Sequence, residues 1–410
     1  ILLYNWTKQP TISLAGSVVS LLFAKLAALI PYVQKVYQEI FVPETHPDFL
    51  FFLRNFHPQL SFVFYIIAVL LVWKVVNGSK KFFIILAGVS VGLQFYSYLY
   101  AWTSLVFGLI IFFGYTLIRG DRQTLKRLLV MGAVAGIVAS WYLVATFNFR
   151  LSSGGEDFFL RSSSAPHKFA VLTLRYIVFL ILFFLLFPAK QNKLKAFILS
   201  MWLAPVALPI LAQWLLGRNL EGDHWLQRFT MPWTVYGATI LAGVFMESST
   251  TANRWIKLLS GAVIIISLVS AVRIQISQSF QKAENFTLNE PRKQLYDWIN
   301  SNIPSDSVIA SIDWETVGTL PAFTTMNNFA PIGIRSIAPT KELEKRYLWL
   351  FGLYDANPEY VRLMFSSPST AGAGELVPRV FYFTYSNNKY LFDIPYEVTE
   401  KIVDNYLLTR

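Results

Sequence analysis

The sequence contains no cysteine and few charged residues. Without Cys, the chain can form neither a disulfide nor a zinc–thiolate site, and it has no catalytic thiol. Asp, Glu, Lys and Arg together make up 14% of its 410 residues, whereas soluble domains carry about 25%. This deficit of charge excludes an ordinary soluble domain.

Patterns that bind metal ions are also scarce. The chain has four His residues, and neither the His-x-x-x-His nor the His-Glu-x-x-His spacing of zinc enzymes occurs. His46 lies two positions before Asp48, and Asp223 is adjacent to His224, but neither spacing selects a metal. Carboxylates could still hold Mg²⁺ or Mn²⁺ together with phosphate oxygens, because such sites need only one or two protein ligands. We therefore assign no metal ligand and leave a divalent cation open as a cofactor.

Long apolar runs, by contrast, are abundant. Hydrophobic residues make up 54% of the chain, and the mean hydropathy is +0.46. Several runs approach the roughly 20 residues that a helix needs to cross a bilayer. The polar, aromatic stretch QFYSYLYAW (94–102) interrupts one long run and predicts a tight turn near Ser97. The sequence thus predicts an α-helical polytopic membrane protein with about nine spans: 11–30, 58–76, 82–96, 98–118, 128–147, 168–187, 196–216, 230–246 and 257–274.

The net charge of +11 arises mostly from short connectors between these runs. Basic connectors follow the second, fourth, sixth and eighth spans, and the positive-inside rule places them in the cytoplasm. Their cations are Lys74, Lys80, Lys81, Arg119, Arg122, Lys126, Arg127, Lys190, Lys193, Lys195, Arg254 and Lys257. Loops 31–57, 148–167 and 217–229, of mixed charge, then face outward. The charge is explained by topology, so we expect no nucleic-acid partner.

The composition changes near residue 275, which predicts two domains. Residues 1–274 form the transmembrane helical domain, and residues 275–410 form a small extracytoplasmic α/β domain. Within the second domain, 292–303 is typical of a helix, 307–312 of a buried strand and 379–392 of a hairpin. Thr340 is in a position to cap a helix that carries Glu342 and Glu344.

Polar side chains that could carry chemistry concentrate in the predicted outer loops. All four His residues lie there: His46, His57, His167 and His224. The connector GRNLEGDHWLQRFTMPW (217–233) adds the acids Glu221 and Asp223 next to His224. A cluster of His and carboxylates on one side of a membrane suits acid–base or metal chemistry. The alternative is that these loops are polar because they contact water.

Two arginines are predicted at the depth of the lipid headgroups. Arg54 and Arg228 each lie shortly before a predicted span. A guanidinium at this depth can bind a phosphate with paired hydrogen bonds, or it can anchor the helix to lipid phosphates. Pro58 and Pro232 follow these arginines near a helix start, where free backbone N–H groups favour an anion.

The many spans, the polar outer loops and the small outer-face α/β domain, together with three segments, resemble the C-type polytopic glycosyltransferases. These include the protein O-mannosyltransferases, the aminoarabinose transferases and bacterial arabinosyl- and mannosyltransferases. The first segment is Arg228, Phe229 and Pro232 before a late span; the others are RNFHPQLSF (54–62) and SVIASIDWETVGTLPAFTTMNN (307–328). The resemblance implies an enzyme of a bacterial cytoplasmic membrane. It would transfer a sugar from a polyprenyl-phosphate donor to a glycan, lipid or protein acceptor on the outer face.

The resemblance also implies roles for individual residues. The family's catalytic base is a carboxylate in the first outer loop, which here suggests Glu44 or Asp48. The chain opens on Ile1 rather than Met, so we expect preceding sequence that could contain the base instead. Donor-binding candidates are Arg228, Arg54, Asp223, His224, Glu221 and His57. Two alternatives remain: a transporter or flippase of a lipid-linked saccharide, and a polymerase or ligase of surface polysaccharide. A flippase would need a polar path, and the spans contain few ionisable residues to line one.

Overall fold

The computed structural model describes most of the chain, in two compact units. The described residues are 1–26, 59–78, 80–162, 180–181, 183, 185–186, 192–217, 220, 223–248, 250–281, 288–311, 313–331, 336–366 and 396–409. Unit 1 comprises Ile1–Leu143, Ala170–Leu211 and Gly222–Ala283, and unit 2 comprises Val144–Phe169, Ala212–Glu221 and Glu284–Arg410. The predicted domain boundary at residue 275 falls inside a helix that continues to Gln281.

Unit 1 is built from helices. In chain order, the helices that lie wholly or mostly in it are α1 (Leu2–Thr7), α2 (Pro10–Leu26), α3 (Gln59–Val76), α4 (Lys81–Gln94), α5 (Leu99–Ile118) and α6 (Arg122–Leu151). After α7 (Ser153–Ser162), which belongs to unit 2, come α8 (Asn192–Leu216), α9 (Asp223–Trp225), a π-helical turn (Leu226–Thr230), α10 (Met231–Ser248) and α11 (Thr250–Gln281). The tight turn predicted near Ser97 is confirmed, since it separates α4 from α5.

Four of the described segments are long and apolar enough to cross a membrane: Leu99–Ile118, Arg122–Leu151, Asn192–Leu216 and Arg228–Met246. Three shorter apolar helices occupy Pro10–Leu21, Leu60–Val76 and Lys81–Gln94. The prediction of a helical membrane protein is confirmed in so far as the described helices have the length and composition of membrane spans. The total of nine spans stays a prediction, and most of the predicted span 168–187 lies outside the described residues.

Two glycines set the packing of α4 on α6. Gly88 and Gly92 are four residues apart and so share one face of α4. A Cβ on Gly88 would lie 2.8 Å from the carbonyl oxygen of Met131, and a Cβ on Gly92 would lie 2.8 Å from that of Ala135. Small residues at this spacing allow the two helix backbones to approach closely, as is usual between helices in membranes.

Aromatic side chains fill the centre of unit 1. Trp6 makes an edge contact with Trp73 at 5.9 Å between ring centroids and lies 6.2 Å from Trp233. The indole N–H of Trp233 donates to the hydroxyl of Tyr65 over 2.9 Å. Tyr65 also contacts the ring of Phe229, with 5.1 Å between centroids. These contacts join α1, α3, the π-helical turn and α10, and they fix where the π-helical turn lies in the unit.

Three basic connectors meet at one end of unit 1. Asp121 caps α6, because its carboxylate accepts from the backbone N–H of Thr124 over 3.0 Å and from the Thr124 hydroxyl over 2.7 Å. Lys193, at the start of α8, donates to the same carboxylate over 3.0 Å and to the Thr124 hydroxyl over 2.7 Å. Arg127 packs on the α3–α4 connector, where a Cβ on Gly78 would lie 3.0 Å from its Nη1. We call this region the basic end.

The Asp121 cap predicts a stability effect that depends on pH. The Thr124 backbone N–H, then its hydroxyl and Lys193, lower the pKa of Asp121 from 3.8 to about 2. Replacing Asp121 with alanine should therefore cost about 1 kcal/mol in the free energy of unfolding near pH 6, the usual worth of a helix cap. The carboxylate stabilises the fold above pH 4, and this contribution disappears as the pH falls through 2. Unfolding of the wild type and of Asp121→Ala in detergent, at pH 6 and at pH 2, measures the difference in the free energy of unfolding.

Asp121→Asn is the matched control for this prediction. Asn caps helices nearly as well as Asp but carries no charge, so it should retain most of the stability near pH 6 and lose the dependence on pH. A stability difference between the wild type and Asp121→Ala that is the same at pH 6 and pH 2 would contradict the assignment.

Unit 2 is also mainly helical where it is described. Besides α7, it contains α12 (Glu290–Asn302), β1 (Val308–Ile309), α13 (Trp314–Phe323), β2 (Asn327–Asn328), α14 (Thr340–Leu353), α15 (Pro358–Ser366) and α16 (Tyr396–Thr409). β1 and β2 pair in parallel, with Val308 opposite Asn327. The predicted helix 292–303 is confirmed as α12, and of the predicted strand 307–312 two residues form β1. The predicted hairpin 379–392 lies outside the described residues.

The predicted cap at Thr340 is wrong. Thr340 is the first residue of α14, and the side chain of the preceding residue, Pro339, makes no capping hydrogen bond. The backbone N–H of Thr340 instead donates to the carboxylate of Asp157 in α7 over 2.7 Å. A full negative charge at a helix N-terminus also interacts favourably with the helix dipole. Elsewhere in unit 2, Arg362 joins α15 to α16 by donating to both oxygens of Glu400, which lowers the pKa of that carboxyl.

Candidate functional site

The predicted outer connector folds into one continuous helical segment. α9, the π-helical turn and α10 follow each other without a break from Asp223 to Ser248. Pro232 is the second residue of α10 and has no N–H to donate to the carbonyl of Arg228, four residues earlier. This missing donor accounts for the departure from α-geometry before Pro232. Pro232 lies near the start of α10 as predicted, but helical residues precede it, so the helix end lies at Asp223.

Arg228 occupies the middle of the π-helical turn and is buried. It is 9% exposed, and no other charged side chain in the described part of the chain is buried to this degree. Its guanidinium donates to the hydroxyl of Tyr98 over 2.5 Å, and its Cζ lies 5.6 Å from the centre of the Tyr98 ring. Burying a cation is costly unless it is paired or hydrogen-bonded, and buried ionisable residues in membrane proteins usually serve function.

His224 meets the same hydroxyl. Its Nδ1 forms a hydrogen bond with the hydroxyl of Tyr98, and its ring centroid lies 4.6 Å from that of Tyr100. Tyr98 thus contacts an imidazole and a guanidinium at once. We call Tyr98, His224 and Arg228 the Arg–Tyr–His cluster.

The connector is fixed on the first turns of α5. The indole N–H of Trp225 donates to the hydroxyl of Thr103 over 2.8 Å, and its ring makes an edge contact with Tyr100 at 4.8 Å. Two aromatic faces, those of Tyr100 and Trp225, therefore lie beside the cluster. Aromatic faces of this kind can pack against the carbon skeleton of a ligand whose anionic group is bound by Arg228.

The turn that supplies Tyr98 is held from its other side. Phe95 stacks on Trp102 with 4.4 Å between ring centroids. The hydroxyl of Tyr96 donates to the carbonyl of Val138 over 2.9 Å and accepts from the backbone N–H of Tyr142 over 3.3 Å. These bonds tie the turn to α6. The position of Tyr98 is therefore determined by contacts within the protein and does not require a bound ligand.

The cluster and the basic end lie at opposite ends of α5. Tyr98 immediately precedes this helix, and Arg119 immediately follows it. A helix of 20 residues is about 30 Å long, which equals the thickness of the hydrocarbon core of a bilayer. Within unit 1, the predicted outer connector is thus separated from three of the four predicted cytoplasmic connectors, as the charge pattern requires. Their assignment to compartments stays a prediction.

Two of the predicted donor-binding residues, Arg228 and His224, come together in this cluster. Asp223 begins α9, and the structure does not describe its side chain. The remaining predicted site residues, both candidates for the base among them, lie outside the described residues: Glu44, Asp48, Arg54, His57 and Glu221. Across the ranges given above, no group of three or more His, Asp or Glu side chains forms a metal site. A divalent cation therefore remains a prediction.

Sequence reasoning did not identify Tyr98, Tyr100 or Trp225 as site residues. The stretch QFYSYLYAW predicts only a tight turn, and its aromatic residues are also typical of a membrane interface. A usable signal was present in the topology. Basic connectors lie before α4 and after α5, so the turn at Ser97 between these helices falls on the same side as the connector 217–229. Tyrosines occupy alternate positions around that turn: Tyr96, Tyr98 and Tyr100.

No protein-family model matches the chain, and a search of curated proteins finds no match.

Proposed function

We propose that the chain is a membrane glycosyltransferase that uses a polyprenyl-phosphate sugar as donor on the outer face of the membrane. The acceptor would be a hydroxyl of a glycan, lipid or protein. The observation that carries this proposal is the buried guanidinium of Arg228 at the start of an apolar helix, fixed by Tyr98 beside His224.

The cluster suits a phosphate attached to a long apolar chain. A guanidinium is a strong donor to phosphate oxygens, and its strength rises where water is excluded. The segment that Arg228 opens, Arg228–Met246, is apolar enough to lie in lipid. A polyprenyl chain could therefore lie along the helices while its phosphate reaches the headgroup level. These two properties favour a lipid-linked anion over a soluble one.

The proposed roles follow from the chemistry of glycosyl transfer. Arg228 would stabilise the negative charge that develops on the departing phosphate, and His224 would contribute a hydrogen bond to the same group. The aromatic faces of Tyr100 and Trp225 would contact the sugar or the first isoprene unit. Transfer with inversion also needs a carboxylate that deprotonates the acceptor hydroxyl. Glu44 or Asp48 is proposed for that role.

A transfer assay tests the proposal directly. Vesicles containing the full-length protein would be given polyprenyl-phosphate donors carrying different radiolabelled sugars. We expect label from at least one donor to move into a lipid, glycan or protein fraction, and Arg228→Ala to lose this transfer. If labelled donor crosses the bilayer with its sugar bond intact, the protein is a flippase and the proposal is wrong. The proposal is also contradicted if, for every sugar tested, the donor keeps its label and stays in the leaflet where it was added.

A further inference from the structure

The basic end carries more positive charge than its own acids can balance. Residues 74–127 contain seven Lys or Arg and a single acid, Asp121. That carboxylate already accepts from Lys193, in an ion pair of 3.0 Å. Lys195, two residues further along α8, adds another cation. Five of the cations are exposed on the surface of unit 1: Lys80, Lys81, Arg119, Arg122 and Lys126.

The structure gathers these cations from separate parts of the sequence. The first two turns of α6 lie between two connectors, because Thr124 contacts Lys193 while Arg127 packs on Gly78. Gly78 has a φ of 86°, which favours glycine and fixes the turn that leads to Lys80. Lys74 is held over the ring of Phe83 at 4.4 Å. The exposed cations thus come from connectors that contact one another at one end of unit 1.

The position of this surface limits what can occupy it. Its cations lie at the ends of the apolar helices α3, α4, α5 and α6, which is the level of lipid headgroups in a membrane. Anionic phospholipids carry their phosphates at this level, and each Lys or Arg near such a surface adds affinity. A soluble polyanion has no acyl chains to lie along these apolar helices, so the position of the cations favours a lipid.

We propose that the basic end is a binding surface for the headgroups of anionic phospholipids, defined by Lys80, Lys81, Arg119, Arg122 and Lys126. It is separate from the Arg–Tyr–His cluster, which lies at the other end of α5. The proposal therefore does not depend on the proposed enzymatic function. The positive-inside rule explains these cations as a signal that orients the protein in the membrane. The proposal adds that they also bind a specific class of lipid.

Native mass spectrometry of the intact protein in detergent tests the surface. The probes are phosphatidylglycerol and phosphatidylcholine with identical acyl chains. We expect the wild type to retain phosphatidylglycerol preferentially, and the triple variant Arg119→Gln/Arg122→Gln/Lys126→Gln to bind it at least tenfold more weakly. Each cation near an anionic surface accounts for about fivefold. Adding inorganic phosphate should not displace the lipid, since the headgroup is held together with its acyl chains.

A charge-matched variant provides the control. Lys293→Gln/Lys341→Gln/Lys401→Gln removes three exposed cations of unit 2 and should leave phosphatidylglycerol binding unchanged. Equal losses in the two triple variants, or equal retention of the two lipids by the wild type, would overturn the proposal. If the first triple variant does not fold, Lys80→Gln/Lys81→Gln and the wild-type lipid preference still decide it. Geranyl phosphate, a short isoprenyl phosphate, should still bind to the Arg–Tyr–His cluster in every folded variant.

Discussion

Replacing Arg228 with alanine should weaken the binding of geranyl phosphate, a short isoprenyl phosphate, by about 1.5–3 kcal/mol. This is the range for a hydrogen bond to a charged group, and it corresponds to a roughly ten- to 150-fold rise in Kd. Arg228 is buried and already positioned by Tyr98, so the wild type spends little free energy on ordering this side chain. Isothermal titration calorimetry of the protein in nanodiscs measures the change.

Two conservative variants separate the charge of Arg228 from its geometry. Arg228→Lys keeps the charge but loses the planar, two-donor group, so it should recover only part of the affinity. Tyr98→Phe keeps the ring but removes the hydroxyl that contacts Arg228 and His224. We expect it to bind geranyl phosphate more weakly than the wild type and more tightly than Arg228→Ala. If Arg228→Ala binds as the wild type does, Arg228 is not part of the site.

Gly92→Ala should destabilise the fold by about 1–3 kcal/mol, the usual cost of overpacking. The added Cβ would lie 2.6 Å from Cβ of Val138 and 2.8 Å from the carbonyl oxygen of Ala135. Because one of these atoms belongs to the backbone, α4 must move away from α6. That movement also displaces the turn after α4, so binding of geranyl phosphate should fall as well. Thermal unfolding in detergent and a binding titration measure the two effects.

Gly136→Ala is the matched control, since Gly136 lies on the exposed side of α6 and a Cβ there meets nothing within 4 Å. This variant should be neutral or more stable by up to about 1 kcal/mol, because alanine favours a helix over glycine. A loss of stability in Gly136→Ala equal to that in Gly92→Ala would show that helix propensity, rather than the contact between α4 and α6, dominates.

The features that the sequence predicted well are those with a local or compositional cause. Apolar runs and the polar turn near Ser97 predicted α4 and α5 as separate helices, since length and hydropathy determine what a bilayer accepts. The helix at 292–303 was predictable because its cap is local: the side chain of Asn289 accepts from the backbone N–H of Arg292. Arg228 and His224 were identified from their places in one connector, four residues apart.

Features that depend on distant contacts were not predictable. The cap of α14 comes from Asp157, which lies 183 residues before Thr340, so the local sequence pointed to the wrong residue. Tyr98 lies 126 residues before His224, and nothing in its own neighbourhood distinguishes it from an interfacial tyrosine. Its role depends on the packing of α5 against α9, which a single sequence does not reveal.

Pro232 divides the helical segment 223–248 into two parts, because one backbone hydrogen bond between them is missing. Because Pro232 supplies no backbone donor, residues 223–230 can unwind without breaking a hydrogen bond from that position. Arg228 and His224 lie on the part before Pro232, whereas α10 beyond Pro232 is anchored through Trp233 in the aromatic centre. Since Trp225 and Phe229 hold the first part against α5 and α3, a ligand meets Arg228 and His224 already in place, and the backbone that carries them is not shared with the straight part of α10.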